Sequence, residues 1–321
     1  MQTLLIGTYT RNTSEGIYRI ELNTDTNKLE NLSLVAKAQN PTYLEYNKDT
    51  QELYSVYQDG DMGGLAVYDY KNQIASLKNV MEKEGVQPCY VHYNSVRNEL
   101  YDANYHRGEV NIYEDTKLKD TFVYEKGGHA HFAHTHPTTN ALYTVDLGND
   151  LIHKYVDGKE ISTFSTPKGS GPRHLVFHPN TNIIYVFTEL SNEVFVLKDS
   201  DIFEQVQVIS TLPEGATPGG GAAIRISQDA KSLYVTNRGH DSITLFNINE
   251  DTTLSFAQNL SSYGGHPRDF NLSLDDKYIV LANRDDNNLV LYTRDTETGQ
   301  LTYISSDTQV PEPVCVLFIN E

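Results

Sequence analysis

One unit recurs along this chain: a short Gly- or Pro-containing lead-in, an alternating apolar stretch, a polar turn, and a second apolar stretch built on a Leu-Tyr-like pair. Its copies are NPTYLEYNKDTQELYSVY (40–57), QPCYVHYNSVRNELYDAN (87–104), HAHFAHTHPTTNALYTVD (129–146), GPRHLVFHPNTNIIYVFT (171–188), GGAAIRISQDAKSLYVTN (220–237) and HPRDFNLSLDDKYIVLAN (266–283). Each is trailed by a turn and a third short stretch, such as LAVYDY at 65–70 or VFVLKD at 194–199. Period-two alternation with polar turns between the runs predicts an all-β chain of repeated meanders. The equivalent positions Leu53, Leu100, Leu142, Ile184, Leu233 and Ile279 recur every 42 to 49 residues, the length of a four-stranded propeller blade.

A seventh unit is divided between the chain ends. EPVCVLF at 312–318 supplies its first strand, and TLLIGTY at 3–9 with GIYRIELN at 16–23 the next two. The reading is therefore a seven-bladed β-propeller with four-stranded antiparallel blades, its ring closed by pairing of the N- and C-terminal strands so that neither leaves an open edge. An open solenoid would carry polar caps at both ends, and this chain has none. With no linker or low-complexity tract, residues 1–321 read as one domain.

The chain carries 43 Asp and Glu against 25 Lys and Arg, a formal charge of −18. That balance excludes nucleic acid and anionic membrane surfaces as partners, because both require phosphates to be neutralised. No run approaches the ~20 apolar residues of a membrane helix. Met1–Gly7 has neither a basic n-region nor a small-residue cleavage site, which predicts a cytoplasmic protein. Two cysteines, Cys89 and Cys315, cannot form a disulfide framework and read as buried free thiols.

In a propeller the start of each blade's first strand and the end of its second lie on one rim, so register substitutes for structure. The third position of the first strand carries Thr42, Cys89, His131, Arg173, Ala222, Arg268 and Val314. The second strands end in Thr8-Tyr9, Tyr57-Gln58, Asn104-Tyr105, Asp146-Leu147, Thr188-Glu189, Asn237-Arg238 and Asn283-Arg284. One rim thus gathers His131, Arg173, Asp146, Glu189, Arg238, Arg268 and Arg284. A cationic cluster with embedded carboxylates, in so acidic a protein, predicts a site for a small anionic molecule, because a low-dielectric funnel focuses the field of a few arginines. The glycine-rich lead-ins, including Gly219-Gly220-Gly221, are candidate anion nests, and tight turns account for the same glycines equally well.

Other residues have plainer readings. His129, His134, His136, His174 and His178 read as turn caps or within-blade hydrogen-bonding groups. Arg173 and Glu189 read equally as a salt bridge holding the rim, and Arg284 as part of a solvated turn. Asn104, Asp146, Asn237 and Asn283 share a register position and have the oxygen chemistry of a Ca²⁺ site. The neighbouring arginines argue against a divalent cation there, so the reading carries no metal and no cofactor.

The segments GHAHF (128–132), VDLGND (145–150), GPRHLVFHPN (171–180), TELSNEV (188–194), NRGHDSI (237–243), HPRDF (266–270) and VPEPVCVLF (310–318) together resemble the lactonase family of seven-bladed propellers. The resemblance spans essentially the whole chain. It implies a lactone-handling site in which His131, Arg173, Glu189 and Arg238 match the family's proposed residues. Relatives often carry a His in the first strand of the fifth blade where this chain has Arg225, which reads as a packing change. The resemblance implies hydrolysis of a small anionic sugar lactone, 6-phosphogluconolactone first among them, in the pentose phosphate pathway. His131 would be the base with Glu189 orienting it or acting in its place. Arg173 and Arg238 would hold the oxyanion, and Arg268 with the lead-in glycines Gly220 and Gly221 the phosphate, with Asp146 as a further substrate contact. The rival readings are a carboxy-muconate-type cycloisomerase and a non-enzymatic propeller for ligand sensing or protein docking.

Overall fold

The computed structural model describes residues 1–320. Every element is a strand, and the strands form seven four-stranded antiparallel sheets. Blades 1 to 6 follow one another along the chain, with innermost strands Leu44–Asn47, Tyr90–Asn94, Ala130–Thr135, Pro172–Phe177, Gly220–Ile226 and Pro267–Leu272. Blade 7 is the composite one: Pro313–Ile319 is innermost and pairs antiparallel with Gln2–Thr8, which leads out to Gly16–Asn23 and Lys28–Lys37. The closure holds Thr3 opposite Ile319 and Gly7 opposite Cys315.

Burial follows strand position. Second strands such as Ile183–Thr188 and Tyr278–Asn283 are buried along their whole length, whereas outer strands such as Lys159–Ser165 and Glu204–Ser210 carry only exposed and half-buried residues. The core is a series of clusters between neighbouring blades rather than one central mass. The recurrent tyrosine of the Leu-Tyr pair explains how blades are joined without tryptophan. Its ring is buried, and in three blades its hydroxyl reaches the next one: Tyr143 to the Asp199 carboxylate, Tyr185 to Thr252 O (3.0 Å), Tyr234 to Gly299 O (2.6 Å); Tyr54 and Tyr101 instead donate to Glu52 and Glu99 of their own strands. Each contributes about 1.5–3 kcal/mol from ring burial and about 1 kcal/mol from the bond.

No helix among the described residues is long and apolar enough to cross a membrane. Cys315 is buried as expected. Cys89 is only half-buried, because it faces the central channel.

Candidate active site

Five of the seven innermost strands break register at the same height. Pairing with the neighbouring strand skips from Ala130 to Phe132, Pro172 to His174, Gly221 to Ile224, Pro267 to Asp269, and Pro313 to Cys315. The skipped residues include His131, Arg173, Ala222, Arg268 and Val314, the third-position series of the sequence. A β-bulge leaves one residue unpaired and re-aims its side chain. Here His131, Arg173, Arg268 and Val314 are brought to the wall of a cavity of about 310 Å³ at one end of the channel, together with Thr42, Cys89 and Glu189.

Glu189 is the hub. Its Oε2 accepts from Arg173 Nε (3.0 Å) and Arg238 Nη2 (2.9 Å). Its backbone is fixed on both sides, its N–H donating to Gly171 O (2.6 Å) and its carbonyl accepting from Gly221 N (2.8 Å). A Cβ on Gly221 would lie 2.3 Å from Thr188 O and 2.7 Å from the Phe187 ring, so only glycine lets blade 5 approach blade 4 this closely. Burial would raise the Glu189 pKa, but Arg173, Arg238 and Arg268 outweigh it and hold the carboxyl below its ordinary value.

The arginines differ in what they have left to offer. Arg173 Nη1 donates to Ala222 O (2.5 Å), and Arg238 donates to Gly221 O (2.5 Å) and Gly220 O (3.4 Å) as well as to Glu189. Burial and Arg268 push the Arg173 pKa down to about 9, which leaves it a cation at neutral pH. Arg268 lines the cavity with no ion pair or hydrogen bond among the described residues.

His131 is 4% exposed and its Nδ1 has no partner. Burial, then Arg173 and Arg268, hold its pKa well below 6.5, which favours the neutral imidazole. No hydrogen bond joins it to Glu189, which is oriented by arginines instead. Burial pushes the Cys89 thiol up to about 12, so it is not a thiolate.

Three expected contacts lie elsewhere. The Asp146 carboxylate is turned into its own loop, accepting from His129 N (2.8 Å), Gly148 N (3.2 Å) and Asn149 Nδ2 (2.7 Å), and it is not part of the cavity wall. Gly220 and Gly221 offer no anion nest: neither has positive φ, their carbonyls take Arg238, and the Gly221 N–H is spent on Glu189. In two other lead-in loops amides are already capped by carboxylates of this chain, Asp150 on Gly169 and Gly171 in one, Asp286 on Gly265 and Asp241 on His266 in the other.

Asn104 and Asn237 likewise have their side-chain oxygens engaged, by Arg107 N (2.9 Å) and by Thr211 Oγ1 (2.6 Å), and Asn283 Nδ2 donates to Ser262 O (2.8 Å). Arg284 pairs with Asp285 (2.7 Å) in its turn. Arg225 pairs with Asp269 (2.9 Å), a packing role.

The cavity wall also takes in Tyr9, at the end of a second strand, and two residues outside both register positions: Arg11, in the loop beyond Tyr9, and His174, which follows Arg173 directly. His174, which read as a turn cap, joins Tyr43, Tyr90 and Phe132 in an aromatic septum with ring centroids 4.4 to 6.0 Å apart. Beneath it lies a second, more apolar cavity of about 340 Å³ that includes Glu45 and His134. The septum gives the upper cavity a floor.

A sequence profile described as "Lactonase, 7-bladed beta-propeller" matches residues 3–318. The chain is 38% identical to a 6-phosphogluconolactonase of Bacillus subtilis (strain 168), over 98% of each protein. Among solved structures, a Lactobacillus plantarum protein superposes with a TM-score of 0.96 at 35% identity, covering 99% of both chains. A periplasmic gluconolactonase of Pseudomonas aeruginosa does so with a TM-score of 0.91 at 26% identity, again over 99% of both.

Proposed function

The chain belongs to the lactonase family of seven-bladed β-propellers and is a lactone hydrolase; from that premise we propose that its substrate is 6-phosphogluconolactone, opened by water to 6-phosphogluconate. The observation that carries this reading is a cavity whose wall holds Arg11, Arg173 and Arg268 together with Glu189, in a protein of net charge −18. Its likeness to the Bacillus subtilis 6-phosphogluconolactonase supports the choice of a phosphorylated lactone. A cytoplasmic location and a step in the pentose phosphate pathway are part of the same reading, since this phosphorylated sugar is an intracellular intermediate.

Glu189 is the base of the proposed mechanism. Its Oε2 is held by two arginines, which fixes the carboxylate while Oε1 faces no protein partner among the described residues. Oε1 takes a proton from water as the water oxygen attacks the lactone carbonyl carbon. His131, neutral at working pH, holds and orients that water. Arg173 and Arg238 have most of their donors committed to Glu189 and backbone carbonyls, so the developing oxyanion falls to Arg268, whose fork is free. When the ring C–O bond breaks, the proton on Glu189 passes to the leaving oxygen, giving the free hydroxyl and the acid, which ionises. No covalent nucleophile, cofactor or metal enters.

The test is a pH-stat assay of purified protein against 6-phosphogluconolactone, glucono-δ-lactone and a muconolactone, each corrected for spontaneous hydrolysis. A preference for the phosphorylated lactone supports the reading. Turnover confined to the muconolactone would replace it with the cycloisomerase, and no turnover with the docking platform.

A further inference from the structure

The chain has ten arginines, and eight of them are in ion pairs: Arg19, Arg97, Arg107, Arg173, Arg225, Arg238, Arg284 and Arg294. The two without a carboxylate partner among the described residues, Arg11 and Arg268, line the same cavity. With acidic residues outnumbering basic ones 43 to 25, an unpaired guanidinium is the exception in this protein. Two of them at one cavity mark where a ligand's negative charge belongs.

The two stand in different places. Arg268 is close enough to Arg173, Arg238, Glu189 and His131 to bias all four, which puts it at the reacting end. Arg11 belongs to blade 7, on the loop between Gln2–Thr8 and Gly16–Asn23, and is not among the main influences on those groups.

That loop is held firmly. Glu312 accepts from the backbone amides of Arg11 (3.2 Å), Asn12 (2.9 Å), Thr13 (3.2 Å) and Ser14 (3.4 Å), and from Asn12 Nδ2 (3.0 Å). On its other side Thr10 and Asn40 exchange bonds of 3.0 and 3.1 Å. The Glu312 carboxylate is thus spent on main-chain amides and does not pair with the Arg11 guanidinium. That guanidinium lies over the Tyr9 ring, 3.9 Å from its centroid, a contact that limits its freedom while leaving the N–H fork free to donate.

Resting on the reading above, we propose that Arg11 is a specificity-determining residue: it binds the phosphoryl group at the end of the substrate remote from the lactone carbonyl. A planar fork suits a phosphate's paired oxygens. An unphosphorylated sugar lactone has nothing to offer it. Among the lead-in glycines, the amides of Gly128, Gly169, Gly171, Gly221 and Gly265 are already capped or paired within the chain.

The experiment compares wild type, Arg11→Gln and Arg11→Lys in two assays. In the first, kcat/KM is measured on 6-phosphogluconolactone and on glucono-δ-lactone. Arg11→Gln is expected to lower the preference for the phosphorylated lactone by about 10- to 100-fold, chiefly through KM, with Arg11→Lys in between, since the charge remains but the fork is lost. An equal loss on both lactones, or no loss, overturns the proposal while leaving the substrate assignment intact.

The second assay is calorimetric titration with the non-reacting 6-phosphogluconate and gluconate. If wild type does not hydrolyse the phosphorylated lactone, the substrate assignment fails. Weaker 6-phosphogluconate binding by Arg11→Gln would then still support the anion site, and equal binding would overturn it.

Discussion

Arg173 Nε donates to Glu189 Oε2 at 3.0 Å, joining the bulge of one strand to the end of the strand beside it. The pair is structural and functional at once, since the bond that ties the rim also aims the carboxylate. Glu189→Gln keeps the shape and removes the base, and is expected to lower kcat by about 10²–10⁴ and, because Arg173 and Arg238 lose their carboxylate, to lower the melting temperature. Arg268→Ala removes the free donor and is expected to cost about 10²–10³ in kcat. Steady-state kinetics on both variants check this, and a Glu189→Gln enzyme of near-normal turnover would eliminate Glu189 as the base.

The pH–rate profile follows from the same charges. Three arginines depress the Glu189 pKa and His131 is held well below 6.5, so kcat/KM on glucono-δ-lactone, which has no phosphate to titrate, should show no titration near pH 6.5, and its acidic limb should lie below pH 4.5. Arg173→Gln takes away one of the cations that offset burial. Its acidic limb is therefore expected at higher pH than that of wild type. A wild-type limb centred near 6.5 would count against this electrostatic account.

How much of this was legible in the sequence depends on what kind of signal each feature leaves. The blades and the split seventh unit were readable because alternation and spacing repeat. The cavity wall was readable at His131, Arg173 and Arg268 because a bulge at a constant height is a constant register position, and at Glu189 because the second strands end at a constant one. Asp146, Gly220 and Gly221 hold the same kind of position and do other work: Asp146 caps its loop, and the two glycines let blade 5 approach Glu189 and receive Arg238. Register gives height on the strand, not the direction a side chain takes once a loop amide competes for it. Arg11 was invisible because it is on a loop whose course depends on Glu312, some 300 residues away in sequence.

Stability should fall in acid. His92 and His134 have folded pKa values pushed down by burial to about 3, and His131 and His174 are also well below 6.5. Their depressed values stabilise the fold fully above the unfolded value of about 6.5, and that contribution is lost as pH falls through the folded values. Each histidine contributes a slope of up to about 1.4 kcal/mol per pH unit in that window. Glu45 acts oppositely: burial raises it from 4.5 to about 7, so its contribution is present below 4.5 and is lost as pH rises through 7. Denaturation at pH 5, 6, 7 and 8 should give a rising stability for wild type between 5 and 6.5, and a steeper rise for Glu45→Gln. A flat profile for both would contradict the burial of these groups.

Chelation should leave turnover intact. The side-chain oxygens of Asn104, Asp146 and Asn237 are engaged by the protein's own donors, and the cavity wall beside Glu189 is cationic. Loss of activity on exhaustive chelation, restored by Ca²⁺, Mg²⁺ or Mn²⁺, would overturn this expectation.

Ring closure and the phosphoryl end of the site depend on the same short segment. Pro313–Ile319 completes blade 7, and Glu312 immediately before it holds the 11–14 loop through four backbone amides. Deleting 312–321 should expose two sheet edges and cause aggregation or loss of cooperative unfolding; a truncated chain that melts like the full one would refute closure by this strand. Glu312→Gln separates the two roles, because it leaves the strand in place and removes only the charge and one acceptor oxygen. Amides left without a full partner cost about 1–3 kcal/mol, so a modest loss of stability with cooperativity retained is expected. If the loop is what presents Arg11, the same variant should raise KM for the phosphorylated lactone more than it lowers kcat. A drop in kcat with unchanged KM would instead tie Glu312 to the reacting end, and would detach the Arg11 loop from substrate recognition.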